Sequence, residues 1–235
     1  CTADEVIFVS QFLAERYEFD DLQCTVLPNG LRSDFGEASQ LDFVAKFKHR
    51  RVLFVGSLRV YKGVEQLLKI AWQLPEMTFT AIFSCSDREL QRFLNNREVP
   101  ANCAFIAGCA DIERQYCEAF AVLNLSTPDV CIESFSLTVL EGLSLGCPCV
   151  VPRVGGHHDY FDQQSGLAVD AHETVRIAEF IRQLADNSTL WRSCADRAMA
   201  SVEGYSAEAY RERVDSFLKV ISGQYAQKNI NGGKE

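Results

Sequence analysis

Cys131-Ile-Glu-Ser-Phe-Ser-Leu-Thr-Val-Leu-Glu-Gly-Leu-Ser-Leu-Gly-Cys-Pro-Cys-Val-Val-Pro-Arg-Val-Gly-Gly156 is the stretch whose reading decides the fold. Two acids, Glu133 and Glu141, stand eight residues apart in it. Between them Ser136 is placed to cap a helix whose apolar positions recur at Leu137, Val139, Leu140 and Leu143. Gly146 can stop that helix, and Cys147 to Val151 is a short apolar run of strand type. Gly155-Gly156 then opens a further helical turn. The pattern puts Glu133 just ahead of a helix N-terminus and Glu141 about one and a half turns inside it. A helix N-terminus offers free N–H groups and positive dipole charge, which suit a phosphate. Carboxylates on either side can accept hydrogen bonds from hydroxyls. A sugar joined to a nucleoside through a diphosphate presents hydroxyls, phosphates and ribose hydroxyls in that order.

Upstream, Arg51-Val-Leu-Phe-Val-Gly-Ser-Leu-Arg-Val-Tyr-Lys-Gly63 repeats the logic. Val52 to Val55 reads as a strand buried on both faces. Gly56 allows close backbone approach at the strand's C-terminal end, where ligands of α/β sheets bind. Lys62-Gly63 opens a helix running to Leu74. Basic residues at a helix start oppose the dipole, so an anion between Arg59 and Lys62 explains them better than solvent does. Strands and helices then alternate: strand Thr78 to Phe83, helix Arg88 to Asn95, strand Cys103 to Ala107, helix Asp111 to Ala119, strand Val122 to Leu125. Beyond Gly156 a short helix over His157 to Phe161 precedes a last strand at Gly166 to Val169. Helices at Thr174 to Ala185, Thr189 to Val202 and Ala207 to Ile221 close the chain. His157 and His158 are taken as surface or rim residues. Alternation with right-handed crossovers predicts a Rossmann-like, doubly wound parallel α/β sheet.

The Glu133 to Gly156 segment resembles the Glu-x7-Glu signature of retaining GT-B glycosyltransferases of family four. The family pattern is met by Glu133, Phe135, Leu137, Glu141, Gly146, Pro148, Gly155 and Gly156. Lys62 matches the lysine of the family's diphosphate loop; its arginine position holds Ser57, and Arg59 stands two residues later as the expected substitute. The resemblance implies catalytic roles for Arg59, Lys62 and Glu133, the bases stabilising charge on a leaving diphosphate. It implies donor binding by Gly56, Ser57, Gly108, Phe135, Ser136, Leu137, Thr138 and Glu141, with Glu133 on the sugar and Glu141 on the ribose. Where the family commonly has glycine, Ser136 is expected to crowd the phosphates. The implied reaction moves a hexose from a UDP- or GDP-sugar to an acceptor hydroxyl with retention, in bacterial surface-polysaccharide synthesis. No cofactor or metal is implied, and no Asp-x-Asp motif occurs.

The resemblance also divides the chain. Residues 1–30 read as the close of an acceptor-side N-terminal domain, with strand Glu5 to Ser10, helix Gln11 to Tyr17, strand Cys24 to Leu27 and the turn Pro28-Asn29-Gly30. Residues 31–50 form a linker with a helix near Leu41 to Lys48, and 51–204 the nucleotide-sugar domain. Residues 205–225 form a helix crossing back, and 226–235 a disordered tail. The acceptor, a carbohydrate or lipid-linked molecule, would be held by earlier sequence, so this chain alone is expected to bind donor without transferring sugar. A non-catalytic nucleotide-sugar-binding module and a GT-B epimerase or phosphorylase are the alternatives.

Composition bounds these readings. The 235 residues are 47% hydrophobic and 23% charged, as in globular proteins. A net charge of −9 argues against a nucleic-acid surface. No apolar run reaches membrane-span length and the residues given carry no secretory signal, but a chain that begins at Cys1 and not Met reads as a fragment or processed form whose missing start could hide a targeting segment. Ten cysteines occur without a Cys-x-x-Cys pair. They read as reduced thiols of a cytoplasmic protein; by the family resemblance, peripheral association with the inner face of the membrane is an option for the full-length protein. Cys147 and Cys149 are expected on opposite faces of one strand.

Overall fold

The computed structural model describes residues 5–17, 19, 22–33, 35 and 41–231. Its centre is a six-stranded sheet built from β3 (Arg51–Gly56), β4 (Thr78–Phe83), β5 (Cys103–Ala107), β6 (Ala121–Leu123), β7 (Cys149–Val151) and β8 (Gly166–Ala168). The order is β5-β4-β3-β6-β7-β8 and every pairing is parallel. The chain winds outward from β3 to β5, returns to β6 beside β3, and winds the other way. This reversal leaves a crevice above the C-terminal ends of β3 and β6, the place where open α/β sheets hold ligands.

Period-two alternation divides the strands between two cores. Val52, Phe54, Phe79, Ala81, Leu123 and Val150 face α3 (Val64–Gln73) and α7 (Thr174–Asp186). Leu53, Ile82, Val122, Cys149 and Val151 face α5 (Ile112–Cys117), α6 (Leu137–Ser144) and α8 (Ser188–Ser201). Cys147 and Cys149 thus lie in one layer and not on opposite faces. They are two residues apart, which is one full period of the pleat. The nine cysteines among the described residues carry free thiols.

Three local rules set the remaining boundaries. Gly63 takes φ +84, and a Cβ there would stand 2.3 Å from the Leu125 carbonyl oxygen. The helix expected from Lys62 is therefore a 3-10 turn over Val60–Lys62 followed by α3 from Val64. Gly146, at φ +65, follows the C-cap of α6 as its left-handed stop. The helix α2 (Phe43–His49) is tied to that same end: the fully buried Lys46 ammonium donates to the Leu145 carbonyl and reaches Cys147 Sγ at 3.4 Å. A cation suits the negative end of a helix.

Outside the main sheet, β1 (Glu5–Phe8) and β2 (Gln23–Val26) pair in parallel as a separate two-stranded sheet. The helix α1 (Gln11–Ala14) is shorter than expected. The Asp159 carboxylate accepts from its first N–H groups, Gln11 N at 2.5 Å and Phe12 N at 3.3 Å. At the other end α9 runs Ala207–Asn231, past residue 225, so part of the tail expected to be disordered is helical. Residues 232–235 lie outside the described residues. Among the described residues no helix is long and apolar enough to cross a membrane.

Candidate functional site

The 3-10 turn after β3 and the loop after β6 meet at the switch point. Thr127 N donates to the Tyr61 carbonyl at 2.9 Å and fastens the two loops. Lys62 and Glu133, 71 residues apart, form a hydrogen-bonded ion pair there. Glu133 also accepts from Ser126 Oγ (2.7 Å, on Oε1) and from Asn124 Nδ2 (2.7 Å, on Oε2). Burial pushes its carboxyl upward, but the Lys62 charge and the three donors outweigh that and hold it below the usual carboxylate range. Glu133 is therefore an anion at neutral pH.

The Gly155-Gly156 turn braces this acid from behind. Gly156 N donates to the Glu133 carbonyl at 2.8 Å. A Cβ on Gly156 would fall 1.8 Å from the Ser134 carbonyl oxygen, so only glycine allows the turn to press so closely. The same turn carries His157 inward. It is fully buried, with Nε2 2.8 Å from the Pro152 carbonyl and Nδ1 without a partner. Burial pushes its pKa down to about 4. The placement of His157 at the surface or rim is thus overturned: its ring bonds the Pro152 carbonyl and packs edge-on to Phe161, with centroids 6.4 Å apart. His158 is exposed, its Nε2 2.7 Å from the Arg153 carbonyl.

Beside the ion pair opens a cleft of about 420 Å³, lined by Gly56, Ser57, Lys62, Gly108 and Thr138 from the expected set. Val55, Ile82, Phe83, Ser84, Cys109 and Ile112 complete it. A Cβ on Gly56 would meet nothing nearer than 3.8 Å, and one on Gly108 nothing within 4 Å. The glycines leave that space open to a ligand. Ser136 stands at the N-cap of α6, but its side chain makes no capping bond. Its hydroxyl accepts instead from Asn124 Nδ2 at 2.8 Å and lies 3.3 Å from Thr138 Oγ1. The expected cap is corrected: the buried amide outcompetes the helix N–H groups for that oxygen.

The remaining expected residues divide. Phe135 is half-buried, its ring 5.2 Å from that of Tyr160 and 6.3 Å from that of Tyr205. Leu137 is 46% exposed at the helix start. Glu141 does not line the cleft; it lies one turn beyond Thr138, near the fully buried Tyr116. Burial first, and then the Glu141 charge, push the Tyr116 hydroxyl well up. Arg59 is exposed and stands outside the cleft lining. Asn124 and Ser126, which hold Glu133, were missed from sequence. The available signal was a polar residue interrupting the apolar run Ala121-Val-Leu-Asn-Leu125.

Comparison with known proteins agrees with this fold. The model of the family described as "Glycosyl transferases group 1" matches residues 40–201. The D-inositol 3-phosphate glycosyltransferase of Corynebacterium diphtheriae is 24% identical over 194 residues, which are 72% of this chain and 42% of that protein. Among solved structures, the sucrose-phosphate synthase of Thermosynechococcus elongatus superposes with TM-score 0.79 at 18% identity, over 95% of this chain and 59% of that one. Anabaena HepE in complex with UDP-glucose gives 0.75 at 19%, over 93% and 64%. The fold is thus an α/β fold of parallel strands shared with GT-B glycosyltransferases. The chain spans between two fifths and two thirds of the length of these three proteins.

Proposed function

Since the chain belongs to the family of glycosyl transferases group 1, we propose that it is the donor-binding part of a retaining glycosyltransferase. Its donor would be a UDP- or GDP-hexose, and the full-length protein would serve surface-polysaccharide assembly. The observation that carries this reading is the Lys62–Glu133 pair, whose lysine lines a cleft shared with Gly56 and Gly108 at the sheet's switch point while Glu133 stands behind it. An ammonium and a carboxylate side by side match the two halves of such a donor. Lys62 faces the diphosphate and Glu133 the sugar hydroxyls. The uncapped start of α6 adds N–H groups for phosphate. As the bond to the leaving diphosphate breaks, the charge that grows on it is met by Lys62 and by these N–H groups, fixed beforehand in a half-buried site.

Residues 1–30 would close an acceptor-side domain encoded by earlier sequence. That domain would hold the acceptor hydroxyl against the anomeric carbon, the arrangement from which proximity gains its effect. The likeness to a protein solved with UDP-glucose makes uridine donors the first probes. Calorimetric titration in EDTA should show UDP binding without divalent metal. Lys62→Ala should weaken UDP by about 1.5–3 kcal/mol, the range for hydrogen bonds to charged groups, while uridine binding hardly changes. Arg59→Ala should cost less than about 0.5 kcal/mol, as for an exposed charge. UDP binding that depends on Mg²⁺, or that ignores Lys62→Ala, would defeat this reading. An Arg59→Ala loss equal to that of Lys62→Ala would restore Arg59 as the diphosphate's second base.

A further inference from the structure

At the end of β6 the chain places a single amide where three parts of the site converge. Asn124 is 7% exposed, and its backbone N–H continues the sheet by donating to the Val150 carbonyl at 2.8 Å. Both of its side-chain N–H donors are used and its carbonyl oxygen accepts once. Nδ2 donates to Glu133 Oε2 (2.7 Å) and to Ser136 Oγ (2.8 Å), and Oδ1 accepts from Ser126 N (3.1 Å). Two of the three partners fix which way the amide points. A carboxylate can only accept and a backbone N–H can only donate, so a flipped amide would face two mismatches. Ser126, 1% exposed, is held by that last bond and places its hydroxyl on Glu133 Oε1. Both oxygens of Glu133 are therefore gripped from the strand side, while Lys62 grips Oε1 from the other loop.

We propose that Asn124, seconded by Ser126, is the positioning residue that sets Glu133 for the donor sugar, an inference that rests on the donor-site reading above. The count of acceptor sites gives the assignment its content. A carboxylate has about four lone-pair positions. Lys62 and Ser126 occupy those of Oε1 and Asn124 one of Oε2. Among the described residues nothing takes the second lone pair of Oε2, so Glu133 takes one hydroxyl of the sugar, in a direction dictated by the amide. Without Asn124 the carboxylate has Oε2 free to rotate, and the sugar meets an acceptor with no fixed direction. Asn124 does not touch the donor; its effect passes wholly through Glu133.

The test compares the sugar's share of affinity. The 235-residue chain is titrated with UDP and with UDP-glucose in EDTA, beside Asn124→Leu and Ser126→Ala. The UDP-glucose advantage over UDP should fall about tenfold in Asn124→Leu and about threefold in Ser126→Ala, as expected for losing one hydrogen bond to a charged group or part of its support. Asn124→Asp keeps the shape and still accepts from Ser126 N, but cannot donate while ionised. Its loss should exceed that of Asn124→Leu in mildly alkaline solution and shrink on acidification, when the new carboxyl can donate. A second readout needs no ligand: the isotope-labelled side-chain carboxyl resonance of Glu133 should titrate at higher pH in Asn124→Leu, because its anion has lost a donor. An unchanged sugar advantage, or a Glu133 resonance that titrates as in the parent, overturns the assignment. If the parent binds neither UDP nor UDP-glucose, the donor reading fails by itself, and the Glu133 resonance still decides whether Asn124 holds that acid.

Discussion

Replacing Gly156 by alanine probes the bracing of the site without altering any of its polar side chains. The added Cβ would lie 1.8 Å from the Ser134 carbonyl oxygen and 2.6 Å from its carbon, with Ser10 Oγ at 3.0 Å. Ordinary contact begins near 3.4 Å, so about 1.6 Å of relief is needed. The obstacle is backbone, which cannot swing aside as a side-chain tip can. Overpacking in a tight site costs about 1–3 kcal/mol. Displacing the 133–134 segment also loosens the 2.8 Å bond from Gly156 N to the Glu133 carbonyl, for about 1 kcal/mol more. A total near 3 kcal/mol is expected in urea unfolding, with the slope against urea unchanged. Glu133 would shift away from Lys62, so UDP-glucose binding should weaken as well. Gly108→Ala is the matched control. Its Cβ would meet nothing within 4 Å, and only its φ of +68 penalises alanine, by about 1–2 kcal/mol. If Gly156→Ala proves no more costly than Gly108→Ala, the close approach of the glycine turn to Ser134 is not what fixes this loop.

Two further perturbations address the surroundings. His157 is held neutral, with its pKa near 4 against an unfolded 6.5; the unfolded chain binds the extra proton first. Its stabilising contribution is whole above pH 6.5 and is lost as pH falls through 4, at most about 3 kcal/mol by linkage. Urea midpoints of the parent should drop through that window, while His157→Phe should flatten the trend; parallel curves would refute burial of a neutral ring. Asp159→Ala removes the acceptor of the Gln11 and Phe12 N–H groups. Amide exchange at those two residues should speed at least about fivefold, for a cap worth roughly 1 kcal/mol, while exchange in β3 stays as it was.

The periodicity of the chain by itself determined the alternation of strands and helices and the placing of Glu133 ahead of α6, because these follow from side chains a few positions apart. Gly146 announced its break for the same reason, a positive φ being a local demand, whereas the break at Gly63 was set by the approach of Leu125 and not read from the sequence. The sequence also pointed to Lys62, through the cost of a base at a helix start. What it left open depends on contacts between distant segments. The adjacency of β3 and β6 joins Lys62 to Glu133 across 71 residues, and no local pattern states a strand order. That same junction brought Asn124 and Ser126 onto Glu133, so a polar interruption in an apolar run became the hold on an anion. It left Arg59 exposed at the edge of its turn, outside the cleft that Lys62 lines. His157 and His158, adjacent and alike in sequence, were separated into core and surface by the glycine turn before them. Burial is a property of what packs opposite a residue, and only the tertiary structure supplies that neighbour.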